Sequence, residues 1–449
     1  MSKFIFITDY FLSSYLSLYL KQCEGCDVVV HVTNDAYKDL LGGIMPKEDT
    51  YIQHLGQGNI FVMDYQKQGK LADALRARGE YVFGGGEISD RLESDRNFAE
   101  KYLKQMGFNV PDSTSYKGHS ACDKAIEYVR AHPRRYCVKQ NGDNEKSLNA
   151  VGKFDDGTDI IDKLMDYKHV WVDDVDFQLQ EFIDGHECGV SAIFNGKDWV
   201  KDQAGELFVI NFEHKKLSEE DTGVTTGEVG TLQCRASSKS KLAHEMMKLT
   251  ELLRKIEYRG LIDLNFIISK KNGKPYVLEF TNRFGYPALS MEIQAIRSKF
   301  SDMIKSVAMG TDEPIKYDPS WCVTVKVQVP PFPFEAIKNY NDAKGQRVYW
   351  LDNGKWTGKD TLLTPEKLKY LHLHEVKFNK ENRHFEVTGP SGDMMDVTAM
   401  GRTVREANDL AKKRIKDCLY TSNFTYRKDI GTNERVQSAI KFMTDKGYL

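Results

Sequence analysis

The first ninety residues carry four short apolar runs, Phe4 to Ile7, Val28 to Val32, Ile60 to Met63 and Tyr81 to Phe83, separated by longer polar or helical stretches. Strand-length apolar runs that alternate with helical segments build a small open parallel sheet with helices on its faces. From Glu93 to Met106 the spacing of Phe98, Tyr102, Leu103 and Met106 predicts an amphipathic helix, stopped by Gly107 and Pro111. The next pattern is a helix (Ala121 to His132), a strand (Arg135 to Lys139), a polar loop, a further helix and a strand (Phe177 to Phe182). Two long helices are expected at Lys239 to Tyr258 and Met291 to Met309, and beyond Glu313-Pro314 come hairpins and a helix from about Arg405 to Tyr420. A chain of 449 residues is too long for one core. We expect four parts: an N-terminal α/β domain (1–110), a small α+β domain (111–185), a central domain (186–312) and a C-terminal α+β domain (313–449).

Composition narrows the function classes. With 41% hydrophobic residues and a formal net charge of −2, the chain is of the globular class and exerts no global electrostatic pull on nucleic acid or membrane. Lys215-Lys216 and Lys270-Lys271 are short charge pairs, read as solvated faces. No apolar run approaches a membrane span, and the N-terminus reads as a first strand, so a cytoplasmic chain is expected. The eight cysteines are scattered, and Cys137, Cys188 and Cys322 sit among strand residues, which favours packed thiols over a disulfide framework. Cys23-Glu24-Gly25-Cys26 has no second pair with which to bind zinc. Monomer and homodimer both remain open.

Two stretches point to chemistry. Glu213-His214-Lys215-Lys216 is followed by Asp221-Thr222-Gly223-Val224-Thr225-Thr226-Gly227-Glu228-Val229-Gly230. Cations beside a glycine- and threonine-rich loop suit phosphate or carboxylate oxygens. Val277-Leu278-Glu279-Phe280-Thr281-Asn282-Arg283-Phe284-Gly285 reads as an apolar strand that ends by presenting a carboxylate, oxygen donors and a guanidinium, a set suited to magnesium and triphosphate.

Together these stretches resemble the phosphoribosylamine–glycine ligase family, ATP-grasp enzymes of purine synthesis. That family carries His-Lys-Arg, then Asp-Thr-Gly-Pro-Asn-Thr-Gly-Gly-Met-Gly, and later Glu-Phe-Asn-x-Arg-Phe-Gly-Asp-Pro-Glu. Val82-Phe83-Gly84-Gly85-Gly86 with Leu92-Glu93-Ser94, and Val397 to Ala407 followed by Tyr426 to Gly431, match further family passages. The resemblance implies an ATP-grasp fold with an N-terminal doubly wound parallel-sheet domain and a C-terminal α+β domain. It implies a ligase that uses ATP and Mg2+ (or Mn2+) to join a small-molecule carboxylate, glycine by default, to an amine through an acyl phosphate. A divergent ligase acting on another amine, an inactive nucleotide-binding protein and a nucleic-acid-binding module are the competing readings.

Residue by residue, the resemblance makes Lys139 a phosphate contact, and Arg96 the counterpart of a family lysine with Lys101 as its rival. Gln180, Glu181 and Phe182 flank the adenine, and Glu187 is the ribose acid. Gly142 and Lys146 belong to a lid loop. Glu279 and Asp263 are metal carboxylates, with Thr281 or Asn282 beside them. A carboxylate inside an apolar strand costs several kcal/mol unless a divalent ion or an arginine such as Arg283 relieves it. Arg283, Lys215 and Lys216 carry the catalytic charge, and Asp221, Thr222, Gly223, Thr226, Gly227 and Gly285 contact substrate.

The departures fall mainly on the substrate side. The family's Gly-x-Gly-Gly-Arg-Glu-His-Ala turn is replaced by Thr8-Asp9-Tyr10-Phe11-Leu12-Ser13-Ser14-Tyr15, which has no glycine for close approach to a phosphate. The family's Asp-Pro-Glu becomes Tyr286-Pro287-Ala288, from which a neutral acceptor pocket is expected.

Overall fold

The computed structural model describes residues 2–118, 120–141, 149–170, 176–334, 343–358 and 363–449. The chain divides into a larger unit (Met1–Ser89, Cys188–Asp263 and Thr281–Leu449) and a smaller one (Asp90–Glu187 and Leu264–Phe280). Among the described residues no helix is long and apolar enough to cross a membrane.

The larger unit opens with the expected parallel sheet: β1 (Phe4–Thr8), β2 (Val28–Val32), β3 (Ile60–Met63) and β4 (Tyr81–Phe83) in the order β2-β1-β3-β4. Phe4 lies opposite both Val28 and Ile60, and Ile60 opposite Tyr81. Every residue of β1 and β3 is buried, which is why these runs do not alternate. Helix α1 (Ser14–Cys23) follows β1.

A second, antiparallel sheet runs from Gly185–Asn195 through Phe208–Ser218, Thr222–Arg235, Trp321–Gln328 and Asp393–Gly401 to Leu371–Leu373. Its register pairs Phe208 with Ala192, Phe212 with Leu232, Leu232 with Val323, and Val323 with Ala399. The stretch expected as a separate C-terminal domain thus adds strands to the sheet that holds Glu213 to Lys216. Its helix, Val404–Cys418, starts at a capping box between Thr403 and Glu406 and stops where Leu419–Tyr420 pairs with Tyr349 and Trp350.

The smaller unit holds a four-stranded sheet in the order Ser113–Lys117, Asp176–Glu181, Tyr136–Gln140, Ala150–Val151. Ala125, Ile126 and Val129 of one helix and Ile160 and Leu164 of another cover the face formed by Tyr116, Tyr136, Val138, Phe177 and Leu179.

Two expected helices are each broken in two, and the one expected over Glu93 to Met106 runs over Arg96–Gln105 behind a separate helix, Glu87–Ser94. Glu87–Ser94 and Arg96–Gln105 meet at Asp95, whose carboxylate accepts the Phe98 N–H at 3.1 Å and starts the second helix. Lys241–Met247 and Thr250–Lys255 are parted where the Thr250 hydroxyl donates to the Met247 carbonyl (2.6 Å) while accepting Trp199 Nε1 (2.9 Å). Ala288–Ala295 and Phe300–Met309 are separated because Arg297 N–H bonds the Lys316 carbonyl and the Glu24 carboxylate caps Phe300 and Ser301 N–H at 2.7 and 2.9 Å. All eight cysteines are free thiols, and Glu24, inside the CxxC segment, is a helix cap.

Candidate active site

In the smaller unit the strand Asp176–Glu181 sends Phe177 and Leu179 into the core, while Gln178 and Gln180 share the opposite face and are also buried. Buried amides require partners. Gln178 Nε2 donates to Asn97 Oδ1 at 3.0 Å, and Lys139 stands opposite Gln178 on the neighbouring strand. Arg96 Nε donates to the Gln140 carbonyl (3.1 Å), its backbone N–H donates to Asn141 Oδ1 (3.0 Å), and its Nη2 lies 3.5 Å from Glu279 Oε2. Asn265 Nδ2 donates to Glu279 Oε1 at 3.4 Å. Arg96, Gln178, Gln180 and Glu279 thereby line one pocket, walled by Leu92, Ala99 and Val277.

Glu279 is not sealed in an apolar strand. Its side chain is 36% exposed and Arg96 faces it, because the strand Pro275–Thr281 buries Val277 and Phe280 and leaves Glu279 facing the pocket. Glu181 Oε1 lies 3.5 Å from Arg134 Nη1, and the Arg135 guanidinium covers the Phe182 ring at 3.6 Å. Glu187 is exposed. The Cys137 thiol is pushed up by burial, with Lys139 lowering it and Glu187 raising it. Gly142 and Lys146 lie outside the described residues. Gln178 and Asn97 were absent from the sequence-derived set; the signal for Gln178 was its alternation with two core residues of the same strand.

In the larger unit Asp263 is buried, and its Oδ2 accepts Asn211 Nδ2 at 2.7 Å. Burial, reinforced by Glu213 and opposed by Asn211, Arg283 and Lys215, pushes its carboxyl up to about 7. Glu292 is also buried and is pushed up to about 8 by burial and by Asp263. These two acids come from Arg259–Ser269 and Ala288–Ala295, and Glu213 from Phe208–Ser218, while Tyr286 and Ala288 stand at the two positions lost after Gly285. Arg283 Nη1 donates to the Phe284 carbonyl (3.0 Å), with its guanidinium 5.8 Å from the Tyr286 ring. Thr281 closes its strand half-buried, Asn282 Nδ2 donates to the Ser89 carbonyl (2.6 Å), and the Gly285 carbonyl accepts Leu289 N–H (2.8 Å).

The glycine- and threonine-rich stretch is a strand, not a loop. It pairs Ser218 with Thr222 and Lys216 with Thr225, and the ladder breaks between His214 and Lys216. Lys215 Nζ lies 2.9 Å from Glu213 Oε2, Lys216 Nζ donates to Thr225 Oγ1 (2.9 Å), and Thr226 Oγ1 donates to the Lys215 carbonyl (2.9 Å). Thr222 Oγ1 donates to the Glu219 carbonyl (2.8 Å), Gly223 takes a positive φ of 80°, and Gly227 is exposed. His214 is fully buried and points the other way, where its Nε2 accepts Gly431 N–H at 2.8 Å, so the ring proton sits on Nδ1, towards Asp221.

Asp221, expected at the substrate, instead joins the hairpin to the C-terminal segment. Its Oδ1 lies 2.9 Å from Arg427 Nη1, and its Oδ2 accepts Arg435 Nε (2.7 Å) and Asn433 Nδ2 (2.8 Å). Burial opposes its charge, but His214, Arg435 and Arg427 together hold the carboxyl well below the usual carboxylate range. Asp221→Asn is expected to lower stability by about 1.5–3 kcal/mol at pH 7, read as a drop in urea midpoint. The folded carboxyl titrates below its unfolded value of about 3.9, so this contribution is present above about pH 4 and is lost as pH falls through the folded value. The gap between variant and wild type should therefore close in acid.

Deeper in the larger unit, fully buried Lys326 places Nζ 2.5 Å from Asp393 Oδ2 and 3.3 Å from Asp396 Oδ1. His374 Nε2 lies 3.1 Å from Asp396 Oδ2, and the Tyr15 ring meets His374 edge-on at 4.7 Å. The ammonium supplies the cation that this His–Asp–Asp trio would otherwise need.

Residues 94–289 match the family model described as phosphoribosylglycinamide synthetase, ATP-grasp (A) domain. The chain is 22% identical over 374 residues to the phosphoribosylamine–glycine ligase of Fusobacterium nucleatum (81% of this chain, 80% of the relative). It is 24% identical over 417 residues to that of Clostridium acetobutylicum (87% and 89%). The chain has the ATP-grasp fold and is a homologue of phosphoribosylamine–glycine ligases. This ligase homologue shares its fold with the Thermotoga maritima phosphoribosylamine–glycine ligase, at a TM-score of 0.69, 18% identity, and coverage of 95% of this chain and 100% of that one. The fold is shared too with Campylobacter jejuni biotin carboxylase, at a TM-score of 0.62, 12% identity, and coverage of 99% and 97%.

Proposed function

We propose that the ligase homologue uses ATP to activate a carboxylate, glycine being the first candidate, and to join it to an amine. What carries this reading is the meeting of Arg96, Gln178, Gln180 and Glu279 around one pocket, inside the segment that matches the ATP-grasp family model. The substrate carboxylate attacks the γ-phosphorus of ATP, giving an acyl phosphate and ADP. The amine nitrogen then attacks the acyl carbon, forms the amide and expels phosphate, and its proton passes to solvent.

Arg96 and Lys139 offer fixed positive charge for phosphate oxygens, and Gln180 with the Glu181–Phe182 backbone offers hydrogen-bonding groups for a base. Arg283 and Lys215 supply cations on the substrate side. In the smaller unit Glu279 presents hard carboxylate oxygens, the donor type that Mg2+ takes; in the larger unit the burial of Asp263 with one amide donor suits a partner cation. When bound, the metal neutralises charge on the transferring phosphoryl oxygens. The four-part division at about residues 110, 185 and 312 belongs to the same reading.

The test is hydroxamate formation. Hydroxylamine replaces the amine, so Mg-ATP, glycine and hydroxylamine should yield glycine hydroxamate and ADP in equal amounts. If nucleotide binds but no carboxylate among a panel of amino acids gives hydroxamate, the ligase reading fails and an inactive nucleotide-binding protein takes its place.

A further inference from the structure

The turn after β1 lies at the carboxyl end of a parallel sheet and at the start of α1, where an open α/β sheet ordinarily receives an anion. Here that position is filled from within. Asp64, fully buried at the end of β3, places Oδ2 2.7 Å from Ser13 Oγ and 3.1 Å from Ser13 N, both of which donate to it. The Phe11 side chain, also fully buried, occupies the turn with φ 51°, and its N–H goes to Thr8 Oγ1 at 2.7 Å. Ser14 Oγ donates to the Leu373 carbonyl (2.9 Å), and the Tyr286 hydroxyl donates to the Asp64 carbonyl (2.8 Å). Lys47, 5.8 Å above the Phe11 ring, directs its protons to the Lys38 and Leu40 carbonyls. Asp9, bonded to Thr33 Oγ1, adds a second carboxylate to the same turn. A phosphate dianion brought here would meet two acids and donors already engaged.

A second change points the same way. Glu228 stands where the resembled motif has glycine, half-buried, with Oε1 shielded from water and no hydrogen-bond partner among the described residues. A buried carboxyl oxygen with no hydrogen bond among the described residues thus replaces bare backbone.

From these placements we propose that the acceptor amine carries no phosphate ester: Asp64 takes the place of the phosphate at α1, and Glu228 takes a hydrogen-bond donor of the amine. The inference rests on the ligase reading, and its test is chosen to fail separately.

Full-length protein with Mg-ADP is titrated calorimetrically with ribose 5-phosphate and with ribose. Affinities within threefold of one another, or no binding of either, are expected; a tenfold or greater preference for the phosphate ester overturns the inference. In turnover, freshly generated phosphoribosylamine should raise glycine-dependent ADP release less than twofold, and a tenfold rise overturns it. Asp64→Gly should increase ribose 5-phosphate affinity at least tenfold; unchanged affinity in a folded variant removes Asp64 from the assignment, and the wild-type titration decides the matter if the variant does not fold. Absence of hydroxamate sinks the ligase reading alone, because that assay needs no acceptor amine.

Discussion

Glu279→Gln is expected to lower glycine-dependent hydroxamate formation by about 10²-fold or more and to raise the Mg2+ concentration giving half-maximal rate. A hundredfold loss corresponds to about 2.7 kcal/mol of transition-state stabilisation, the scale set by removing one charged ligand from a phosphoryl-transfer site. The substitution keeps the shape and the 3.4 Å contact with Asn265 but removes the charge that faces Arg96. The side chain is 36% exposed, so thermal unfolding should move little. This separates the variant from one that merely destabilises the chain. Activity near wild type at all Mg2+ concentrations would remove Glu279 from the metal site.

Lys326→Met should have the largest effect on stability. Removing the ammonium leaves Asp393 and Asp396 without their shared cation, with His374 beside Asp396, and breaking one side of a buried pair costs about 3–5 kcal/mol. The pH dependence gives an independent sign. In the wild type Asp396 opposes its own burial through Lys326 and His374 and sits at about 2, so its contribution is present above the unfolded value of about 3.9 and is lost only in strong acid. In the variant the unpaired acids hold protons more tightly than in the unfolded chain. Stability should then be greatest at low pH and fall as pH rises, the reverse of the wild type. Guanidinium unfolding at pH 5 and pH 8 reads this directly, and Asp396→Asn added to Lys326→Met should recover part of the loss. A variant with unchanged midpoint at pH 8 would show that the ammonium does not hold the cluster.

Much of this architecture was legible wherever local pattern decides the outcome. The strands of the first sheet were readable because each is a short apolar run buried on both faces, and their observed bounds, such as Val28–Val32 and Ile60–Met63, are those of the runs. Helix breaks were not legible, because their causes lie far off in sequence: Glu24 caps a helix near Phe300, and Trp199 engages Thr250. The pocket of Arg96, Gln180 and Glu279 could be anticipated from motifs, since their spacing preserves family signatures. Asp221 could not. Its motif has the composition of a mobile binding loop, yet Arg427 and Arg435 draw it into an ion network whose partners lie more than two hundred residues away along the chain. The acids Asp263 and Glu292 were missed as neighbours for the same reason: only the folded strands and helix bring them within electrostatic reach.

The continuous sheet from Phe208–Ser218 through Thr222–Arg235 to Trp321–Gln328 and Asp393–Gly401 bears on how such a chain can diversify. The hairpin that carries Lys215 and Lys216 shares its backbone ladder with the C-terminal strands, and His214 and Asp221 are latched to Gly431, Arg427 and Arg435. The last third of the molecule is therefore not an exchangeable module. A crossover near residue 313 with a distant relative would join a foreign edge to Thr222–Arg235 and separate each latch from its keeper. Variation in such a lineage is steered away from recombination of whole segments and towards point changes, of the kind seen in the turn at Asp9 to Ser13 and in the strand at Glu228.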